Sequence, residues 1–479
     1  MNKKSIFVST AIPYVNAAPH LGHAIEFVQA DVVARYQRAM GNDVFFLSGT
    51  DDNALKNVLK AEEAGQDVAS FVEKNAAAFQ KLLADLDVSN DDFIRTSSDQ
   101  RHAPGAQKLW QAFRKEDIER KSYKGLYCVG CEEFKTEKEL TDGRCPEHPD
   151  AELEEIEEEN WFFKLGSYTD RLQNIITSGG LRIVPDVRKN EVLAFIRRGL
   201  EDLSISRSAE RARGWGVPVP GDPTQIQYVW VDALSNYITA LDYAHAGAQF
   251  KKYWEGSDER IHVIGKGISR FHAIYWPAFL LSAGVQLPTT LFVHGYVTVG
   301  GQKMSKSLGN IVDPSPVIKE YGVDAFRYFV ARHIHPFEDS DFTMERFKQA
   351  YNADLANGLG NLVARVMQLS QSNLERSVDV TFVPYPSEFT KALDSFKPNE
   401  ALEYVAARVQ ALDQKINQTE PFKVVKTDPE RGKKLIEELV RELAAIDLML
   451  EPFIPKTSKA IIDAIVANTK PANLFPRKE

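Results

Sequence analysis

Ser5-Ile6-Phe7-Val8-Ser9-Thr10 is a short, apolar, β-branched run of the kind that forms a strand buried on both faces. Pro13, in Ala11-Ile12-Pro13-Tyr14, ends the ladder because it has no N–H to donate. After the loop Val15-Asn16-Ala17-Ala18-Pro19, helical spacing of apolar positions runs from His20 to about Arg38. A second strand over 43–49 completes a βαβ unit and predicts a parallel sheet. The pattern continues with a helix from Ala54 to about Asp85, helix and loop over 190–207, and a Gly/Pro-rich break at 214–221. Strand character resumes at Tyr228-Val229-Trp230-Val231-Asp232, then at 261–265 and 291–299. Beyond about Met344 strands vanish. Helical periodicity over 351–373, 399–420, 430–450 and 456–467 predicts an antiparallel bundle.

The expected fold is therefore an α/β, Rossmann-type parallel-sheet domain followed by an all-α helical bundle. With 479 residues, 43% of them hydrophobic, the chain can bury a sizeable core and make about three domains. No apolar run is long enough to span a bilayer, and Met1-Asn2-Lys3-Lys4-Ser5 enters a strand without a signal-peptide core. A cytoplasmic protein with no membrane contact is expected. The formal net charge of -9 excludes a generic polyanion binder, so any nucleic-acid contact must use a local basic surface.

The three cysteines change the picture. Their odd number argues against a disulfide framework. Cys128 and Cys131 form one C-x2-C knuckle, and Cys145 and His148 a C-x2-H knuckle 13 residues further on. That spacing predicts a tetrahedral structural Zn2+ site, closed by four protein ligands, in an insertion within the α/β domain. The acidic run 152–159 reads as a solvated face.

Four further groups suggest chemistry. Gly300-Gly301-Gln302-Lys303-Met304-Ser305-Lys306-Ser307-Leu308-Gly309-Asn310 follows a strand and concentrates cations, hydroxyls and glycines suited to a polyphosphate. His20 and His23 share a face at a helix N-terminus, with Gly22 between them, where N–H groups and the helix dipole favour phosphate. Thr50-Asp51-Asp52-Asn53 ends a strand, where a carboxylate either holds an amino group or caps the next helix. Ile268, His272 and Trp276 form a stripe at four-residue spacing, a pattern of core or of a pocket wall. In the bundle, Asn361 and Arg365 are one turn apart, an exposed polar pair or a pair that reads base edges.

His20-Leu21-Gly22-His23 is similar to the HIGH signature, and Lys303-Met304-Ser305-Lys306-Ser307 is identical to the KMSKS signature, of class I aminoacyl-tRNA synthetases. Ala11-Ile12-Pro13-Tyr14-Val15-Asn16, Tyr228-Val229-Trp230-Val231-Asp232-Ala233, His294-Gly295-Tyr296-Val297-Thr298-Val299 and the knuckles resemble the methionyl branch of that family. The resemblance covers essentially the whole chain, and its ending looks like a compact member without an appended dimerisation domain, hence a monomer.

The resemblance implies a ligase that activates methionine with ATP and Mg2+, then charges the tRNA for methionine. Ile12, Tyr14, Asp51, Trp230, Ala233, Tyr237, Ile268, His272 and Trp276 would line the methionine site. His20, Gly22, His23, Val297, Lys303, Ser305, Lys306 and Ser307 would bind ATP, with His20, His23, Lys303 and Lys306 catalytic. Asn361, Arg365 and Phe422 would meet the anticodon. The implied domains are 1–115 and 224–295 (two halves of the catalytic domain), 116–223 (zinc insertion), 296–350 (signature loop and stem contact) and 351–479 (anticodon-binding bundle).

Four positions depart from the family pattern. Asn53-Ala54 replaces His-Gly, Leu234 a proline, Gly267 an aspartate associated with the ATP ribose, and Phe422 a tryptophan. A class I synthetase of other specificity and a non-catalytic tRNA-binding paralogue are the rival readings.

Overall fold

The computed structural model describes residues 3–128, 133–135, 140–146, 150, 152–304, 309–380 and 384–479. The chain forms two compact units. Met1–Pro19, Gly41–Leu83 and Ser89–His294 make the first, and His20–Met40, Ala84–Val88 and Gly295–Glu479 the second.

The first unit is organised on six strands: β1 (Ser5–Thr10), β2 (Asp43–Thr50), β3 (Asp92–Arg95), β4 (Arg182–Val184), β5 (Glu259–Gly265) and β6 (Thr290–His294). Neighbours pair in parallel in the order β3-β2-β1-β5-β6-β4. The order reverses between β1 and β5, which opens a crevice beyond their carboxyl ends, the usual ligand position in such sheets. Phe7 on β1 packs against Phe45 on β2 and edge-on to Trp254, so the sheet centre is dry.

Three expectations fail here for physical reasons. The run over 291–299 is two strands, β6 and Val297–Val299, in separate sheets, broken where Gly295 packs tightly on the Glu338 backbone. The apolar run at 228–232 is not a strand; it opens the helix Val229–Thr239, preceded by the strand Asp222–Gln227. Every residue of that helix is buried except half-buried Trp230, so no solvent face prints a 3.6-residue period. The single helix expected over 54–85 is two, Leu55–Glu63 and Val68–Asp85. Gly65 interrupts it at φ +62°, and the Asp67 carboxylate accepts from the Ser70 N–H to start the second.

Between β3 and β4 the long strands Ile118–Cys128 and Glu154–Phe163 pair antiparallel. Glu133–Lys135 and Leu203–Ser204 flank them in a four-stranded sheet. The acidic run lies on one of these strands, with its glutamates at the surface: Glu155 pairs with Lys124, Glu159 with Arg120 and Glu154 with Arg211.

The second unit holds the helix Leu21–Ala39 together with the C-terminal helices. Its anchor is Arg327, fully buried beside the equally buried Asp31 at 2.7 Å. The guanidinium also donates to the carbonyls of Phe453, Pro452 and Leu86. Those bonds offset the desolvation that a buried ion pair must overcome. The expected helical stretches are present as Tyr351–Gly360 with Asn361–Asn373, Pro398–Thr419, Pro429–Leu450 and Pro455–Ala467. Short helices at Ser387–Asp394 and Pro421–Thr427 join them. Among the described residues, no helix is long and apolar enough to cross a membrane.

Candidate functional site

The crevice residues of the first unit are set by the ends of β1, β2 and β5. Past β1, Tyr14 makes an isolated parallel bridge to Asp51, and the Asp51 N–H donates to the Pro13 carbonyl at 2.9 Å. Asp51 is buried, and its Oδ1 accepts from the Asn53 N–H at 3.2 Å. Neither Asp51 nor Asp52 caps the following helix. Its N-cap is Ala54, with no side-chain bond, so the capping alternative is overturned. Ile12 lies against Gly49, where an added β-carbon would sit 3.1 Å from Ile12 Cγ2 and 2.3 Å from the Ile94 carbonyl.

The opposite wall comes from Val229–Thr239 and the segment after β5. Trp230 stacks on Phe271 at 3.7 Å with the planes 5° apart, and meets Tyr14 edge-on at 6.5 Å. Tyr237 and His272 Nε2 are 2.7 Å apart, and His272 Nδ1 lies 3.0 Å from the Ile268 carbonyl. A carbonyl only accepts, so Nδ1 carries the proton and Nε2 accepts from the Tyr237 hydroxyl. Burial pulls the His272 pKa down to about 4, so the ring is neutral at neutral pH. Trp276 is fully buried, 6.1 Å from Tyr237, and Ala233 shares the helix of Trp230 and Tyr237. Ile12, Tyr14, Asp51, Trp230, Ala233, Tyr237, Ile268, His272 and Trp276 thus all belong to the first unit.

Sequence spacing missed two members. Phe271 falls off the four-residue stripe. The chain is a wide turn over Phe271–Tyr275, which brings 271 onto Trp230 as well as placing 272 on Tyr237. His262 sits on β5 directly opposite Ser9 of β1; its Nδ1 lies 2.7 Å from Ser9 Oγ, and its ring lies 4.0 Å from Tyr237. Burial, then the neighbouring His272 and Arg260, drive its pKa well below the ordinary imidazole value. Its signal was only a histidine inside a buried strand. Gly267 is exposed and brings no carboxylate.

The second cluster lies in the other unit. His20 is the N-cap of Leu21–Ala39; its Nδ1 accepts from the Gly22 N–H at 3.1 Å. In return His23 Nδ1 accepts from the His20 N–H at 3.1 Å. With both Nδ1 atoms accepting, each neutral ring carries its proton on Nε2. The rings stack at 3.9 Å. Burial, then the adjacent His20, hold His23 well below the ordinary imidazole pKa.

The signature region, some 280 residues later, meets this helix start. The Leu21 N–H donates to the Val312 carbonyl at 2.9 Å, and a β-carbon at Gly22 would stand 3.6 Å from Met304 Cε. Buried Val297 begins a strand, Val297–Val299, that pairs with Gln302–Lys303 through a two-residue turn. Gly300 and Gly301 have φ of +60° and +76°, as that turn requires. The glycines thus make a tight hairpin, clamped by Asp341 Oδ1 on the Gly301 N–H at 2.7 Å. Ser305, Lys306, Ser307 and the Lys303 side chain lie outside the described residues.

In the bundle, Asn361 is exposed at its helix start. Arg365 is half-buried, bonded to Asp413 and, at 2.7 Å, to Asn417. Phe422 is 41% exposed just beyond the end of the helix that carries those partners. In the insertion, Cys128 closes a strand and Cys145 follows the Thr141–Arg144 bridge, both fully buried. Cys131 and His148 lie outside the described residues, and among the described ones no three metal-ligating side chains gather.

Comparison with known proteins gives the family. Residues 6–155 and 148–367 match the family described as tRNA synthetases class I (M). The methionine–tRNA ligase of Brucella melitensis is 38% identical, with 98% of this chain and 93% of that one covered. That of Thermotoga maritima is 37% identical over 97% of this chain and 76% of its own. Among solved structures, Mycobacterium tuberculosis methionyl-tRNA synthetase in complex with methionyl-adenylate matches with a TM-score of 0.88 at 34% identity, covering 99% of each chain.

Proposed function

The chain belongs to the methionyl branch of the class I aminoacyl-tRNA synthetases, and from that premise we propose that its clusters divide the reaction by substrate. The enzyme activates methionine with ATP to methionyl-adenylate and pyrophosphate, then transfers methionine to the 3′-terminal ribose of its tRNA.

In this reading the crevice of the first unit is the methionine site. Aromatic faces and an apolar wall suit a polarizable thioether, while Asp51 pairs with the α-ammonium. One observation carries the assignment. His272 is pinned neutral between the Ile268 carbonyl and the Tyr237 hydroxyl, so this part of the wall presents dipoles rather than charge. Cationic and anionic side chains would forfeit their hydration there; methionine would not.

His20 and His23 offer Nε2–H donors beside the N–H groups of a helix terminus, a setting that stabilises phosphate charge. Gly22 and Val297 complete that side, and Lys303, Ser305, Lys306 and Ser307 supply the cations and hydroxyls of the signature loop. The methionine carboxylate is already a nucleophile, so attack on the α-phosphorus needs no enzyme base; positioning and charge stabilisation suffice. Magnesium bound with ATP neutralises phosphate charge. The terminal ribose 2′-hydroxyl then attacks the activated carbonyl, forming the ester as the acyl–phosphate bond breaks and AMP leaves.

For the tRNA, Asn361 and Arg365 read anticodon bases and Phe422 stacks on one of them, over less area than a tryptophan would cover. Asp413 and Asn417 hold the Arg365 guanidinium in place. The insertion is stapled by zinc on Cys128, Cys131, Cys145 and His148. The full burial of the two described cysteines supports this, since thiolates of a closed site are shielded from water. The cytoplasm, where ATP and tRNA meet, is the place of action.

Amino-acid-dependent ATP–pyrophosphate exchange tests the assignment. Methionine should support exchange, while leucine, valine, isoleucine and cysteine should not. If another amino acid drove it better, the crevice reading would fail. Zinc is checked separately: about one equivalent should copurify, and its removal by chelation should unfold the insertion.

A further inference from the structure

Asn53 stands between the two sides of the methionine crevice. Its backbone N–H donates to Asp51 Oδ1 at 3.2 Å. Its side-chain amide donates across the gap, from Nδ2 to Asp232 Oδ2 at 2.8 Å and to the Thr96 carbonyl at 3.2 Å. Both amide hydrogens are therefore committed.

Asp232 lies in the first turn of Val229–Thr239, the helix that carries Trp230, Ala233 and Tyr237, and is itself 1% exposed. Its other oxygen is bonded to His102 Nε2, and His102 Nδ1 reaches Thr239 Oγ1, at the last residue of that helix, at 2.9 Å. The loop is closed from the other side by Trp215 Nε1, which donates to the Asp52 carbonyl at 2.8 Å. Asn53 is thus joined by one N–H to the carboxylate beyond β2, and by two more to the facing helix and to the end of β3.

We propose that Asn53 is a positioning residue for methionine. It holds the Asp51 carboxylate at a fixed span from the Trp230–Tyr237 face, so that ammonium and thioether are recognised at one spacing. The inference rests on the methionine-site reading above. The position calls for an uncharged group with two donors. Alanine strips Asp232 of a donor inside the protein, and aspartate sets a second carboxylate against it.

The test is steady-state exchange with methionine and ATP varied separately, with thermal stability read for each variant. Asn53→Ala should raise the methionine KM on the order of 10-fold, with kcat and the ATP KM within about 2-fold. Asn53→Asp keeps the side-chain shape and should raise the methionine KM further, which covers the case of an alanine variant that does not fold. An unchanged methionine KM in the folded variants, or an equal rise in the ATP KM, overturns the inference. Asp51→Asn is the control for its premise. A raised methionine KM there beside unaffected Asn53 variants sinks the positioning role alone. An unchanged methionine KM in Asp51→Asn removes the site reading itself.

Discussion

The proposed methionine crevice and the histidine pair are built by opposite means. In the crevice, buried and half-buried side chains bond to one another or to a local carbonyl: Tyr237 to His272, His272 to Ile268, Ser9 to His262, Asn53 to Asp232. At the helix terminus the two histidines are held by backbone N–H groups on Nδ1, and the helix itself is anchored through Asp31 and Arg327. Under the proposed assignment, the difference follows from the ligands. A site for an uncharged thioether must satisfy its own polar atoms, because the ligand offers them little. A phosphate site must point donors outward, so the backbone occupies the acceptor nitrogens and fixes the proton on Nε2.

The largest effect should come from the anchor. Arg327→Met leaves buried Asp31 with Arg35 as its arginine partner and removes the donor to three carbonyls, and should cost roughly 3–5 kcal/mol in denaturant unfolding. A loss below ~1 kcal/mol would mean that the helix start is held by something else. Next, Lys306→Ala should slow methionine-dependent exchange on the order of 10²- to 10³-fold while leaving the methionine KM nearly unchanged. An equal effect on the methionine KM would erase the division between the two sites.

Acid should weaken the crevice. Above about pH 6.5, His272 is neutral in both folded and unfolded chains. As pH falls from there toward about 4, the unfolded chain binds a proton that the folded ring refuses, so stability declines by up to about 3 kcal/mol. His262 and His23, both shifted down by burial, add to the same slope. Asp447, in the bundle, runs the other way. Burial raises its pKa to about 8, so its cost to the folded state grows as pH rises from about 4 to about 8. Melting temperatures measured from pH 7 to 5 should fall, and less steeply in His272→Gln. An unchanged slope in that variant would show that the ring is not held neutral. The smallest effect is expected for Tyr237→Phe, which strips His272 Nε2 of its donor. It should raise the methionine KM about 10-fold and spare the ATP KM.

Much of this was legible in the chain. β1, β2 and β5 read correctly because strands buried on both faces are continuous apolar runs with turn residues at their ends. The bundle helices read correctly because each keeps a wet face. The helix Val229–Thr239 misread for the converse reason, since burial all round erases periodicity. Phe271 was invisible because the wide turn over Phe271–Tyr275 breaks the four-residue spacing on which the Ile268–His272–Trp276 stripe was drawn. The signature glycines read only as part of a polyphosphate-binding loop, whereas pairing of Val299 with Gln302 turns two of them into a hairpin.

By itself, the sequence determined the family, the parallel sheet and the bundle, and it singled out the residues proposed to carry the chemistry, because each is written in local composition or in a short contiguous motif. Only the tertiary structure decided how those residues are held. That His20 and His23 carry their protons on Nε2, that His272 is neutral and donates to Ile268, and that Asn53 ties Asp51 to Asp232 all depend on distances of about 3 Å. Most of those bonds close over a few residues, but the ones that join separate elements are remote in the chain, as Asn53 is from Asp232 and Leu21 from Val312. Hydrogen-bond geometry at that range is created by packing, and no spacing along the chain encodes it.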